Sequence, residues 1–162
     1  MPNNNIGFQP NENMSSYRQI LYQIVFSTKY RHNTIPNEHC EELYRFIWGI
    51  VKERKCTLYQ INGTENHLHI LSDLHPTICL ADYIKEIKTI SNIWMKGNGN
   101  FPEFTNWQLG YGAFTYTYRD KAMITNYIKN QKEHHREEIF EVEYRRLLDE
   151  HGVEYDERYY LD

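Results

Sequence analysis

Between Tyr17 and Tyr118 the spacing of apolar side chains switches from every second residue to every third or fourth, twice and in the same order. Ile20, Tyr22, Ile24 and Phe26 share one face of an alternating stretch, with Leu21 and Val25 on the other, as in a strand. Leu43, Phe46, Ile47, Ile50 and Val51 then fall at i, i+3, i+4, i+7 and i+8, which predicts an amphipathic helix over residues 38–55. Two short strands are expected near 57–62 and 66–73. Asn62-Gly63 between them is a hairpin signal, because both residues tolerate positive φ. Leu80, Tyr83, Ile84, Ile87 and Trp94 mark a second helix over 79–96, stopped by Gly97-Asn98-Gly99-Asn100. Residues 111–118 alternate again as a fourth strand. The order β-α-β-β-α-β leaves few ways to bury these faces. It predicts an α+β fold of the ferredoxin-like (split βαβ) kind, a four-stranded antiparallel sheet with two helices on one face.

Beyond the fourth strand, Met123, Ile124, Tyr127 and Ile128 repeat at helical spacing, and the helical pattern runs on through Phe140, Tyr144, Leu147 and Leu148, with a break near 134–136. These C-terminal helices read as an appendage to the sheet. At 162 residues the chain fits one domain, expected over 17–150. An Asn-rich arm over 1–16 reads as disordered, and residues 151–162 as a loose acidic tail. Phe46, Trp48, Trp94 and Phe140 are expected in the core, and residues 107–114 as a brace for the fourth strand.

A mean hydropathy of −0.77 and the lack of a long apolar run argue against a membrane span. The first twenty residues show no secretory signal, and three cysteines without a C-x-x-C pair suggest a reducing cytoplasm. The net charge of −4 hides a division. The 11 acidic and 4 basic side chains after Lys132 give −7, whereas the 11 acidic and 14 basic up to and including it give +3.

Two short segments carry side chains suited to chemistry. In His67-Leu68-His69 the strand period puts both imidazoles on one face, about 6–7 Å apart, where they can grip one divalent cation. Glu65, two residues upstream, is expected on that face, supporting the pair from outside. In Tyr127-Ile128-Lys129-Asn130-Gln131-Lys132-Glu133-His134-His135, Tyr127 and Gln131 lie four apart on a helix and His134 follows on the same stripe. Two His and an amide oxygen leave positions open for a phosphate oxygen, and a tyrosine beside them can act as nucleophile.

These segments, with Trp107-Gln108-Leu109-Gly110-Tyr111-Gly112-Ala113-Phe114 and Tyr155-Asp156-Glu157-Arg158-Tyr159, occur in an order that resembles the HUH single-tyrosine transposases, the TnpA proteins of small bacterial insertion sequences and their relatives associated with repetitive extragenic palindromes. The resemblance covers most of residues 17–158. It implies that Tyr127 cleaves and rejoins single-stranded DNA through a covalent 5′-phosphotyrosine intermediate. It further implies that His67, His69 and Gln131 hold Mg²⁺ or Mn²⁺, with Glu65 and His134 in support.

The implied partners are single-stranded DNA bearing a hairpin and a second copy of the chain, in a homodimer. Lys29, Arg31, Arg54, Lys55, Lys85, Lys88, Arg119 and Lys121 are candidate phosphate contacts, and Tyr30, Tyr116 and Tyr118 candidate stacking platforms. Two other functions fit parts of the pattern. One is a non-catalytic single-stranded nucleic-acid-binding module with a ferredoxin-like sheet. The other is a zinc hydrolase built on His67, His69 and His134.

Overall fold

The computed structural model describes residues 17–162; the arm expected over 1–16 lies outside them. Strands β1 (Tyr22–Ser27), β2 (Leu58–Gly63), β3 (His67–Ser72) and β4 (Gly112–Thr115) form one antiparallel sheet in the order β2-β3-β1-β4. Helices α1 (Cys40–Glu53) and α2 (Leu80–Gly97) connect β1 to β2 and β3 to β4. Each strand–helix–strand unit therefore straddles a strand of the other, which is the split arrangement the periodicity predicts.

The alternation in β1 and β3 sorts side chains to two faces. Ile24 and Phe26 of β1 and Leu68 and Ile70 of β3 join Leu43, Ile47, Ile50, Tyr83, Ile84 and Ile87 of the two helices in the main core. Phe46 and Trp94 stack at 4.3 Å where α1 crosses α2.

The opposite face is covered as well, so the C-terminal helices are not an appendage. Helices α3 (Lys121–Lys129), α4 (Gln131–His134) and α5 (Phe140–Glu150) follow β4. Ile124 and Ile128 of α3 pack on Leu21 and Leu71. Phe140, Tyr144, Leu147 and Leu148 of α5 pack on Val25 and Phe114. The reason lies in the strands: all six residues of β3 are buried, and an antiparallel strand with one wet face would alternate instead. The sheet is the middle of three layers.

Other local expectations are corrected. Gly63 does not turn the hairpin; it is the last residue of β2, paired with Leu68, and residues 64–66 form the loop. Glycine is required there by close approach, since a Cβ would meet the His67 carbonyl oxygen at 2.1 Å. Trp48 is not core: it is 51% exposed, and Lys52 lies over its ring at 5.1 Å. Residues 151–162 are not loose, because Tyr155, Tyr160 and Leu161 pack against the α5 cluster. Within the expected brace, Trp107 donates Nε1–H to Ser91 Oγ at 3.0 Å, and Gln108 Oε1 accepts from the Ser27 amide at 2.6 Å. Among the described residues, no helix is long and apolar enough to cross a membrane.

Candidate active site

The buried second face of the sheet places polar side chains where apolar ones would be expected. His67, His69, Gln131 and Glu143 are all fully buried, which demands that each find partners. The two histidines are fixed from behind. Thr64 Oγ1 and Asn66 Oδ1 lie 2.9 and 2.8 Å from His67 Nδ1. Gln23 Nε2 lies 2.9 Å from His69 Nδ1 and is itself held by the Tyr116 hydroxyl, which donates to Gln23 Oε1 at 2.6 Å. Anchoring at Nδ1 turns both Nε2 atoms inward, toward α4 and α5.

There they meet Glu143, one of the 11 acidic residues after Lys132. Its carboxylate lies 3.5 Å from His67 Nε2, 3.3 Å from His69 Nε2 and 2.6 Å from His135 Nε2. Gln131 donates to Glu143 Oε1 at 2.8 Å and sets its own Oε1 3.2 Å from His67 Nε2. The Tyr127 hydroxyl donates to the same Glu143 oxygen. Arg146, one turn along α5, donates Nη2–H to the Tyr127 hydroxyl at 3.1 Å. The helix breaks at Asn130, between Tyr127 and Gln131, yet both side chains reach one carboxylate.

The electrostatics follow from burial. Desolvation lowers the His67 pKa to about 4, outweighing the favourable Glu143 carboxylate. At neutral pH the imidazole is uncharged and has a lone pair to offer. Burial pushes the Glu143 carboxyl up, but the surrounding imidazoles, His69 foremost, hold it below the usual carboxylate range. Burial, then the neighbouring Glu143 charge, raises the Tyr127 phenol above its ordinary value, while Arg146 acts the other way.

Of the sequence-predicted residues, Tyr127, His67, His69 and Gln131 come together. Glu65 and His134 do not join them. Glu65 is exposed, its carboxylate accepting from Asn37 at 3.2 Å. The His134 ring stacks on the outside of Tyr127 at 5.0 Å, and His135 takes the inward position. A zinc site using His134 is therefore not assembled. Glu143 and Arg146 had one legible signal: Glu143 falls three residues after Phe140 and four before Leu147, a charge on the apolar stripe of its helix.

The candidate phosphate contacts are scattered. Lys29, Arg31, Lys85 and Lys88 line one cavity of about 760 Å³. Arg119 and Lys121 line another of about 590 Å³. Arg54 is paired with Glu86, and Lys55 is exposed beyond the end of α1. Two further cations are already engaged, Lys88 by the carbonyls of Leu109 and Gly110 and Arg31 by Glu141 and the Leu161 carbonyl. Tyr30 and Tyr118 are exposed, whereas Tyr116 is tied to Gln23.

Known proteins share the sequence pattern and the fold of this chain. The ISDra2 transposase TnpA of Deinococcus radiodurans is 22% identical over 126 residues, covering 70% of this chain and 84% of the relative. A crystal structure of a candidate transposase from Deinococcus radiodurans R1 superposes with a TM-score of 0.57 at 24% identity, covering 72% of this chain and 95% of that one. The REP-associated tyrosine transposase bound to a REP hairpin gives a TM-score of 0.57 at 17% identity, covering 75% and 74%. These two likenesses establish a shared fold. The family profile described as IS200-like transposase matches residues 16–131, well over half of the sequence, and the chain belongs to that family.

Proposed function

We propose that this transposase cleaves and rejoins single-stranded DNA with Tyr127 as nucleophile, at a metal centre held by His67, His69 and Gln131 together with Glu143. The observation that carries the reading is convergence. Side chains from β3, α3, α4 and α5 meet around one carboxylate inside a protein layer, at some cost in desolvation.

The donor set fits a divalent cation. The inward Nε2 of His67 belongs to an imidazole anchored through Nδ1 on two oxygens, the usual arrangement of a ligating histidine. His69 Nε2, although 3.3 Å from the Glu143 carboxylate, makes no well-formed hydrogen bond. Ligand atoms of His67, His135 and Glu143 lie within 4.8 Å of one another. Mixed imidazole and oxygen donors suit Mn²⁺, and the oxygens suit Mg²⁺. When bound, the cation supplies a Lewis acid for a phosphate oxygen.

The protein's own groups do the rest. Tyr127 presents its hydroxyl beside the ligands, and Glu143 accepts its proton in the resting hydrogen bond. Attack by Oη on phosphorus forms the phosphotyrosine and releases a 3′ hydroxyl; reattack by a 3′ hydroxyl reverses it. The ester is exchanged rather than hydrolysed, so no nucleotide triphosphate is needed. A hairpin-bearing strand is the preferred substrate, by analogy with the hairpin-bound relative, and Lys29, Lys55, Lys85, Arg119 and Lys121 are the candidate phosphate contacts left by the internal pairings. The test is a denaturing gel with hairpin-bearing single-stranded DNA. A manganese-dependent protein–DNA adduct is expected from the native chain and none from Tyr127→Phe; an adduct that survives this substitution would refute the assignment.

A further inference from the structure

Helix α5 lies beyond residue 131, where the family match ends, yet it reaches the nucleophile. We infer that Arg146 is a catalytic residue of this chain, holding Tyr127 Oη and stabilising the negative charge that develops on that oxygen when its bond to phosphorus forms or breaks. The inference rests on the reading of Tyr127 as nucleophile.

Three observations support it. Arg146 Nη2 donates to Tyr127 Oη at 3.1 Å, and its guanidinium carbon lies 5.8 Å from the ring centre. The guanidinium is held in that position by Glu138, which accepts from Nε at 3.2 Å and from Nη2 at 2.9 Å, and by Glu150, which accepts from Nη1 at 3.3 Å. A solvated ion-pair network needs only those two carboxylates; the bond to a half-buried phenol is a third, separate contact. Finally, Tyr127 Oη also touches the Glu143 carboxylate, which opposes any negative charge on that oxygen. Among the described residues, Arg146 is the one Lys or Arg side chain hydrogen-bonded to Tyr127, and so the one placed to offset it.

The chemistry requires such a group in both directions. In cleavage, the Oη–P bond forms, the P–O3′ bond breaks with its electron pair on O3′, and the phenol proton ends on O3′. In joining, a 3′ hydroxyl bonds to phosphorus, the P–Oη bond breaks with its electron pair on Oη, and the proton of the attacking hydroxyl ends on Oη. Charge passes through Oη in each transition state, and a fixed donor aimed at developing charge typically contributes about 100- to 1,000-fold in rate.

The test compares adduct formation and strand joining by the native chain, Arg146→Ala and Arg146→Lys, with Mn²⁺ affinity by calorimetry and thermal melting as controls. Arg146→Ala is expected to slow both steps at least ~100-fold while Mn²⁺ affinity stays unchanged, and added guanidinium ion to restore part of the rate. Arg146→Lys, which keeps the charge but loses the fork, should fall between the two and decides alone if the alanine variant does not fold. Undiminished rates in the variants, or a loss that guanidinium does not relieve, would overturn the inference. A native chain that forms no adduct at all would instead overturn the reading of Tyr127.

Discussion

Glu143 shows how one side chain can be misjudged from composition and yet organise a site. It lies in the segment of −7 charge, and a run of like charges ordinarily marks a solvated face. In the folded chain it is fully buried among three imidazoles, an amide and a phenol. His67 pays the corresponding penalty, its pKa lowered from 6.5 to about 4 by burial. The sign of the pH effect follows. Below pH 6.5 the unfolded chain takes up a proton that the folded imidazole refuses, so stability is fully present above that pH and is lost as pH falls toward 4. Over the whole window the metal-free protein should lose roughly 3 kcal/mol from this residue. Urea unfolding at pH 7 and at pH 4.5 measures it, and the difference should shrink in His67→Gln; an unchanged slope would dispose of the assignment.

At the scale of elements, the β2–β3 hairpin determines where the imidazoles stand. Because side chains in a strand alternate, a slip of one residue would turn His67 and His69 into the α1/α2 core. Gly63 protects the register by letting the His67 carbonyl come close. Gly63→Ala must move the backbone, and overpacking of this kind costs about 1–3 kcal/mol. A melting curve should show that loss, together with weakened Mn²⁺ binding, since the displaced strand carries the two histidines proposed as ligands; native values for both would mean the contact is relieved elsewhere. The Asn62-Gly63 pair was legible as a hairpin signal, but for the wrong physical reason. Propensity sees that glycine tolerates positive φ and cannot see a carbonyl in the facing strand. The third helix was legible in its apolar spacing, while its break at Asn130 and restart at Gln131 left no comparable mark.

Taken whole, the molecule is a sheet between two helical layers, and the second layer makes the site. Tyr127, His67, His69, Gln131, Glu143 and Arg146 all belong to one chain. If the proposed site is complete in that form, a mixture of Tyr127→Phe with His67→Ala should form no adduct, whatever the oligomeric state, because neither chain can lend the missing group. Restored activity in the mixture would show exchange of the tyrosine helix between subunits. The charge division also looks different in three dimensions. The acidic segment is partly spent within the fold: Glu138 and Glu150 hold Arg146, Glu141 holds Arg31, and Glu157 holds Arg145.

The sequence by itself determined the order of strands and helices, the face on which the two histidines stand and the tyrosine–glutamine spacing, because periodicity and short-range spacing are local properties. Only the tertiary structure decided that α3, α4 and α5 cover the second face of the sheet, that His135 rather than His134 turns inward, and that Glu143 and Arg146 reach the Tyr127 hydroxyl. Those outcomes depend on which surfaces meet between separate elements, His67 and Gln131 being 64 residues apart, and burial, which turns an ordinary glutamate into the centre of a buried polar cluster, is a property of that meeting alone.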